Sequence, residues 1–213
     1  RVRRGILNDE NPKGTFRCPR PDTELLVETA LELAQSGSVS TIADIGPGCG
    51  AIAISMALKL TEAKVYATDI SAAALKVASA NCQKHGVSGR ICLLEGDLLE
   101  PLPEPVDLIV ANLPYVSEAD LAKVNTLGFE PTLALDGGKD GLDKIRRLCT
   151  QLTHSTPFGF AQGQASSLGF ARDKSGQAGK LRPGGSLLLE IGQGQREAVT
   201  AFLHNLFPSA RIE

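Results

Sequence analysis

Residues 41–54, Thr41-Ile42-Ala43-Asp44-Ile45-Gly46-Pro47-Gly48-Cys49-Gly50-Ala51-Ile52-Ala53-Ile54 (TIADIGPGCGAIAI), decide the fold. Thr41 to Ile45 reads as a short buried strand, the glycines at 46, 48 and 50 break it, and an apolar helix follows from Ala51 to about Leu60. A strand, a glycine turn and a helix in that order is the repeating unit of doubly wound sheets. The rhythm recurs downstream. Lys64 to Thr68 is a second strand ending at Asp69, and Ala72 to about Lys84 is a second helix stopped by His85-Gly86. Arg90 to Leu94 and Val106 to Ala111 are two more strands, Gly141 to about Leu152 a helix, Ser186 to Ile191 a fifth strand and Gln195 to Leu206 a last helix. Upstream, Pro21 opens a helix to about Gln35, with Asp22 or Thr23 as its cap, Leu25, Leu26, Thr29 and Leu33 along its stripe, and Gly37 as its end. The alternation predicts an α/β fold: a doubly wound, mostly parallel sheet covered by helices on both faces.

Composition narrows the class. The chain has 213 residues, 42% of them hydrophobic, enough to bury a sizeable core in one domain. A formal charge of −2 supplies no global basic field, so direct nucleic-acid binding is not expected. No apolar run approaches the roughly 20 residues that cross a bilayer, and RVRRGILNDENPKG lacks a signal-peptide core. The expectation is a soluble, cytoplasmic protein. The five cysteines show no CxxC or Cys/His ligand spacing, so neither a disulfide frame nor a metal site is expected. Cys82 and Cys92 sit among apolar residues and read as reduced core side chains. The three histidines stand apart, and a Ser/His/Asp or Cys/His nucleophile has nothing to build on.

Two segments depart from the rhythm. Ser117 to Asp140 has little periodicity and exceeds the roughly 12 to 15 structureless residues usual in a compact domain, which marks it as a loop that holds substrate. Residues 153–180 are rich in Gly, Ser, Gln and Ala and echo themselves as FGFA and LGFA, the signature of a low-complexity insertion.

Ligands of a doubly wound sheet bind beyond the carboxyl ends of its strands, which here carry Gly46-Pro47-Gly48-Cys49-Gly50, Asp69, Asp97 and Asn112. The glycines permit close approach to the main chain, and the next helix offers free N–H donors. Asp69 lies 23 positions after Gly46, where its acceptor oxygens suit the hydroxyls of an adenosine ribose. In Gly96-Asp97-Leu98, the Asp97 carboxylate suits the adenine amino group and Leu98 covers the ring. Together these say adenosine-containing cofactor. Gly46-x-Gly48-x-x-Ala51 also satisfies a dinucleotide fingerprint, so a nicotinamide enzyme remains in view.

Asn112-Leu113-Pro114-Tyr115 resembles the [N/D/S]-P-P-[Y/F/W] signature of S-adenosylmethionine-dependent methyltransferases acting on planar nitrogens, with Leu113 in place of the usual Pro. The lone pair of such a nitrogen is delocalised, so its N–H groups must be held. The Asn112 side-chain oxygen and the Leu113 carbonyl can accept them, Pro114 stiffens the loop, and Tyr115 can pack against the planar group. The signature alone does not choose between adenine and an amide.

Two further stretches resemble the HemK family of release factor glutamine methyltransferases. These are Pro19-Arg20-Pro21-Asp22-Thr23-Glu24, and Phe129-Glu130-Pro131 leading through Ala134-Leu135 to Gly141-Leu142. The resemblance runs from about Gly14 to Leu206, with Pro47 where Thr or Ser is common. It implies a Rossmann-like class I methyltransferase that moves a methyl group from S-adenosylmethionine to the glutamine side-chain amide in the Gly-Gly-Gln loop of release factors. It further implies that Gly46 to Gly50, Asp69, Leu98 and Asn112 line the cofactor, and that Asn112 to Tyr115 hold the glutamine. Residues 1–18 then form a lead-in and 19–213 the methyltransferase domain, with the insertion at 153–180. Family members usually carry an N-terminal helical domain and a closing β-hairpin, so the sheet is expected to lack its last strands and the chain to be a truncated form. The competing readings are an adenine methyltransferase acting on RNA or DNA, and a non-catalytic S-adenosylmethionine-binding module.

Overall fold

The computed structural model describes residues 21–37, 39–124, 132–154 and 179–213. Its elements are α1 (Pro21–Ser36), β1 (Thr41–Ile45), α2 (Ala51–Lys59), β2 (Lys64–Asp69), α3 (Ala72–Lys84), β3 (Ile91–Glu95), β4 (Val106–Ala111), α4 (Glu118–Val124), a 3-10 turn (Thr132–Ala134), α5 (Asp143–His154), β5 (Leu181–Leu189) and α6 (Arg196–Leu206). The strands form one sheet in the order β3-β2-β1-β4-β5, with every pairing parallel. The chain starts at the centre, winds outward through β2 and β3, then crosses to β4 and β5. The switch point, where such sheets open a crevice, therefore lies between β1 and β4. Register keeps the strand ends level: Ile45 pairs with Thr68 and Ala111, Asp69 with Glu95, and Ala111 with Leu189.

Strand alternation divides the core into two layers. Ile42, Val65, Leu108 and Val110 face one side and pack with Val27 and Ala30 of α1 and Ile52 and Met56 of α2. Ala43, Ile45, Tyr66, Ile109 and Ala111 face the other and pack with Leu148 and Leu152 of α5. Full burial of a side chain such as Ile42 or Leu148 is worth about 1.5 to 3 kcal/mol. No helix among the described residues is long and apolar enough to cross a membrane.

Several sequence expectations are corrected. Helix α1 already includes Pro21, so Thr23 lies within its first turn and is not the cap; its hydroxyl instead donates to Glu190 Oε2 at 2.9 Å. Thr23 thus lies on the buried side of the helix. Leu26, Val27, Ala30, Leu31 and Ala34 face inward while Leu25 is 66% exposed. Cys92 is exposed because β3 is an edge strand and only one of its faces is covered by helices, whereas Cys82 is buried in α3. Strand β5 begins five residues earlier than Ser186, at Leu181. Val106 pairs with Leu181 but Leu108 with Ser186, so the Arg182-Pro183-Gly184-Gly185 run bulges out, where proline's missing N–H costs no ladder bond.

The 117–140 segment contains α4 and the 3-10 turn, and it folds back on the end of β4. Val116 N–H donates to the Leu135 carbonyl at 3.0 Å, and Gly137 N–H to the Val116 carbonyl at 2.9 Å. Pro19-Arg20, Phe129-Glu130-Pro131 and nearly all of the 153–180 insertion lie outside the described residues.

Candidate functional site

The glycine turn after β1 uses conformations that only glycine adopts cheaply. Gly46, Gly48 and Gly50 have φ of 74°, 56° and 87°. A Cβ on Gly46 would sit 3.3 Å from Leu113 Cδ2, so the turn lies directly against the NLPY loop. Gly50 precedes α2 and has no side chain to cap it; the first-turn donor Ala53 N–H is taken instead by Asp44 Oδ2 from β1.

Two carboxylates flank the turn. Asp69 Oδ2 accepts from Gly48 N–H at 3.2 Å and its Oδ1 from Ser71 N–H at 2.9 Å; Ser71, not Asp69, caps α3. Burial pushes the Asp69 carboxyl above its ordinary value, and the Ser71, Gly48 and Ile70 N–H groups pull against that rise. Asp44, at the end of β1, is 1% exposed; its Oδ2 accepts from Ala53 N–H at 2.9 Å, and its Oδ1 has no partner. Burial pushes Asp44 up to about 7, opposed by the Ala53 bond and reinforced by Asp69.

The loop after β3 is clamped by Gln151 of α5. Its Oε1 accepts from Leu99 N–H at 2.7 Å, and its Nε2 donates to Asp97 Oδ2 at 2.8 Å. Arg147 pairs with the same Asp97 oxygen at 2.8 Å. Between them Leu98 holds a φ of 49°, rare for a side chain of its size, and its carbonyl accepts from the Thr68 hydroxyl at 2.6 Å.

Asn112 follows β4 directly. Its Nδ2 donates to Glu190 Oε2 at 2.7 Å and to Thr23 Oγ1 at 3.0 Å. Its Oδ1 is buried and has no hydrogen-bond partner. An unpaired buried acceptor costs about 1 to 3 kcal/mol, which a ligand N–H would recover. The Tyr115 hydroxyl donates to Glu190 Oε1 at 3.3 Å.

These pieces surround one cavity of about 220 Å³. Of the residues expected to bind cofactor, Gly46, Pro47, Gly48 and Cys49 line it from β1, Asp69 from β2, Asp97 and Leu98 from β3. Asn112, Leu113 and Pro114 line it from β4, with Leu133 and Ala134 of the folded-back segment opposite. Gly50 and Tyr115 are not on its wall: Gly50 is packed beneath, where a Cβ would meet Ala78 Cβ at 3.2 Å, and Tyr115 stands behind Asn112. The wall offers acceptors for hydroxyls and N–H groups beside an apolar surface. Thr23, Lys144 and Arg147 also line it, and Glu190 stands behind it. None of the four stands out as a site residue in the sequence. The available signal for Glu190 was a carboxylate ending the apolar run Leu187-Leu188-Leu189, and for Thr23 its place in the Pro19-Arg20-Pro21-Asp22-Thr23-Glu24 stretch.

Comparison with known proteins adds the following. A family model described as methyltransferase small domain matches residues 12–127. Release factor glutamine methyltransferases of Moorella thermoacetica and Bordetella pertussis are 46% and 42% identical to the chain over 183 and 189 residues. The alignments cover 85% and 87% of this chain and 56% and 60% of those proteins, so the chain spans a little over half the length of the curated relatives it matches. Among solved structures, the ribosomal protein L11 methylase of Lactobacillus delbrueckii subsp. bulgaricus is similar in fold, with a TM-score of 0.56 at 21% identity over 90% of this chain and 71% of that one.

Proposed function

Because this chain belongs to the methyltransferase small domain family, we propose that it transfers a methyl group from S-adenosylmethionine to the side-chain amide nitrogen of a release factor glutamine. The observation that carries the reading is the Asn112 amide: the residue lines the cavity, its donor side is occupied, and its buried acceptor oxygen is unpaired. The similarity to release factor glutamine methyltransferases supports the choice of an amide over adenine.

The cavity residues fit the cofactor chemically. Asp69 offers carboxylate oxygens to a ribose, Asp97 and Leu98 an acceptor and an apolar face to a purine, and the glycine turn a close approach to the main chain. When bound, S-adenosylmethionine supplies an electrophilic methyl whose bonding pair stays on sulfur as the new N–CH3 bond forms. Asn112 Oδ1 and the Leu113 carbonyl accept the two amide N–H groups of the glutamine. They hold the nitrogen with its lone pair toward the methyl and favour the positive charge that develops there. One proton is lost from the methylated nitrogen to solvent. Leu113 supplies a main-chain carbonyl as proline would, and its 4% exposed side chain packs under Gly46. On this reading the reaction takes place in the cytoplasm.

The test is a tritiated methyl transfer assay offering release factor, rRNA and adenine-containing DNA in parallel. Label on the release factor glutamine, lost in Asn112→Ala while cofactor affinity persists, is the expected result. Label on nucleic acid alone, or full turnover by Asn112→Ala, refutes the reading.

A further inference from the structure

Glu190 lies behind the cavity wall, yet three donors converge on it. These are Asn112 Nδ2 at 2.7 Å and the Thr23 hydroxyl at 2.9 Å, both to Oε2, and the Tyr115 hydroxyl at 3.3 Å to Oε1. We propose that Glu190, acting with Thr23, is the positioning residue of the site: it takes up the NH2 of the Asn112 amide and leaves Oδ1 as the end without a partner, so that only a nitrogen carrying hydrogen is held there. This rests on the methyl-transfer reading above.

An amide side chain can turn over, exchanging N for O with little change of shape, and only its neighbours decide which way it faces. A carboxylate accepts and does not donate. With the Thr23 hydroxyl proton given to Glu190, the Thr23 oxygen is left as a second acceptor, 3.0 Å from Asn112 Nδ2. Both amide hydrogens are therefore used. The reversed amide would place its oxygen against the Glu190 carboxylate, which cannot donate, and put its NH2 where Oδ1 now stands, where it would repel the N–H groups of a substrate. Glu190 is itself fixed, because it follows the last β5 residue and its N–H donates to the Ala111 carbonyl at 3.0 Å. The three groups come from α1 and from the ends of β4 and β5, so the lock exists only when the sheet is assembled.

Glu190→Leu, Glu190→Gln and Thr23→Val test the role through two readouts. The first is the Asn112 side-chain amide signal in the 15N–1H spectrum of the free protein, identified by its loss in Asn112→Ala. The second is kcat and KM for release factor, with cofactor affinity by calorimetry. In the unsubstituted protein both Nδ2 protons exchange slowly. In Glu190→Leu that protection is lost and kcat falls by about 100-fold, with KM and cofactor affinity unchanged. Glu190→Gln, which offers an acceptor in one of its two orientations, is intermediate in both readouts. Should Glu190→Leu fail to fold, Thr23→Val deprotects one Nδ2 proton and lowers kcat less. Retained protection in Glu190→Leu, or in Thr23→Val, or a loss expressed in KM alone, overturns the proposal. If no release factor is methylated, the functional reading falls while the exchange measurement still decides the role of Glu190.

Discussion

Asn112→Asp is nearly isosteric and replaces Nδ2 by an oxygen, which makes it a sensitive probe of the arrangement around Glu190. In the structure that atom lies 2.7 Å from Glu190 Oε2 and 3.0 Å from Thr23 Oγ1. Two unit charges at the shorter separation repel by about 6 kcal/mol at an effective dielectric of roughly 20. Solvent reaching the half-buried pair relieves part of this, and uptake of one shared proton relieves most of the remainder. The folded variant then holds a proton that the unfolded chain releases, so the carboxyl value of the pair is higher folded than unfolded. Stability relative to the unsubstituted protein is preserved at low pH and lost as pH rises through that raised value. Thermal denaturation of both proteins between about pH 5 and 9 should show a Tm gap that widens with pH. Methyl transfer by the variant should recover in the acid half of the range, where the shared proton restores a donor toward Glu190. A Tm gap independent of pH would refute the placement of Nδ2 against Glu190.

Further outcomes follow from the other carboxylates and from Gln151. Asp69→Ala removes charge-assisted hydrogen bonds worth about 1.5 to 3 kcal/mol each, so calorimetry should show cofactor affinity weakened at least about 10-fold, and unchanged affinity counts against the ribose assignment. Asp44, raised to about 7 by burial, contributes stability that is fully present below the ordinary carboxyl range and lost as pH rises through about 7. Asp44→Asn should therefore stabilise the cofactor-free protein more at pH 8 than at pH 5, by about 3 kcal/mol at most, seen as a larger upward shift of Tm at pH 8; equal shifts at the two pH values refute the burial argument. Gln151→Leu removes the clamp on Asp97 and Leu99 and should cost about 2 kcal/mol in denaturant unfolding together with weaker cofactor binding, whereas unaltered binding would mean the loop holds its shape without the clamp.

Much of the fold was legible because its signals are local. The strands at Thr41–Ile45 and Val106–Ala111 and the helix at Ala72–Lys84 stand where their apolar runs and breakers place them. Strand β5 was harder: Pro183 and two glycines read as a loop, and only pairing with β4 shows that a strand carries them in a bulge. Helix α4 was missed because seven residues are too few for a periodic pattern to stand out. In the site, residues that end strands or form the glycine turn were identifiable because of where they stand along the chain. Leu25 was misassigned because the face a helix buries depends on what it packs against, and here Thr23 is drawn toward Glu190.

By itself the sequence determined the winding of the sheet and the chemistry at its rim, since alternating apolar runs, glycines with positive φ and an NLPY turn act through their neighbours in the chain. Only the tertiary structure decided how Asn112 is oriented. Its partners Thr23 and Glu190 stand 167 residues apart, and they meet because parallel register brings the ends of β4 and β5 level beneath the first turn of α1. A carboxylate that can only accept then determines which end of the amide is left without a partner.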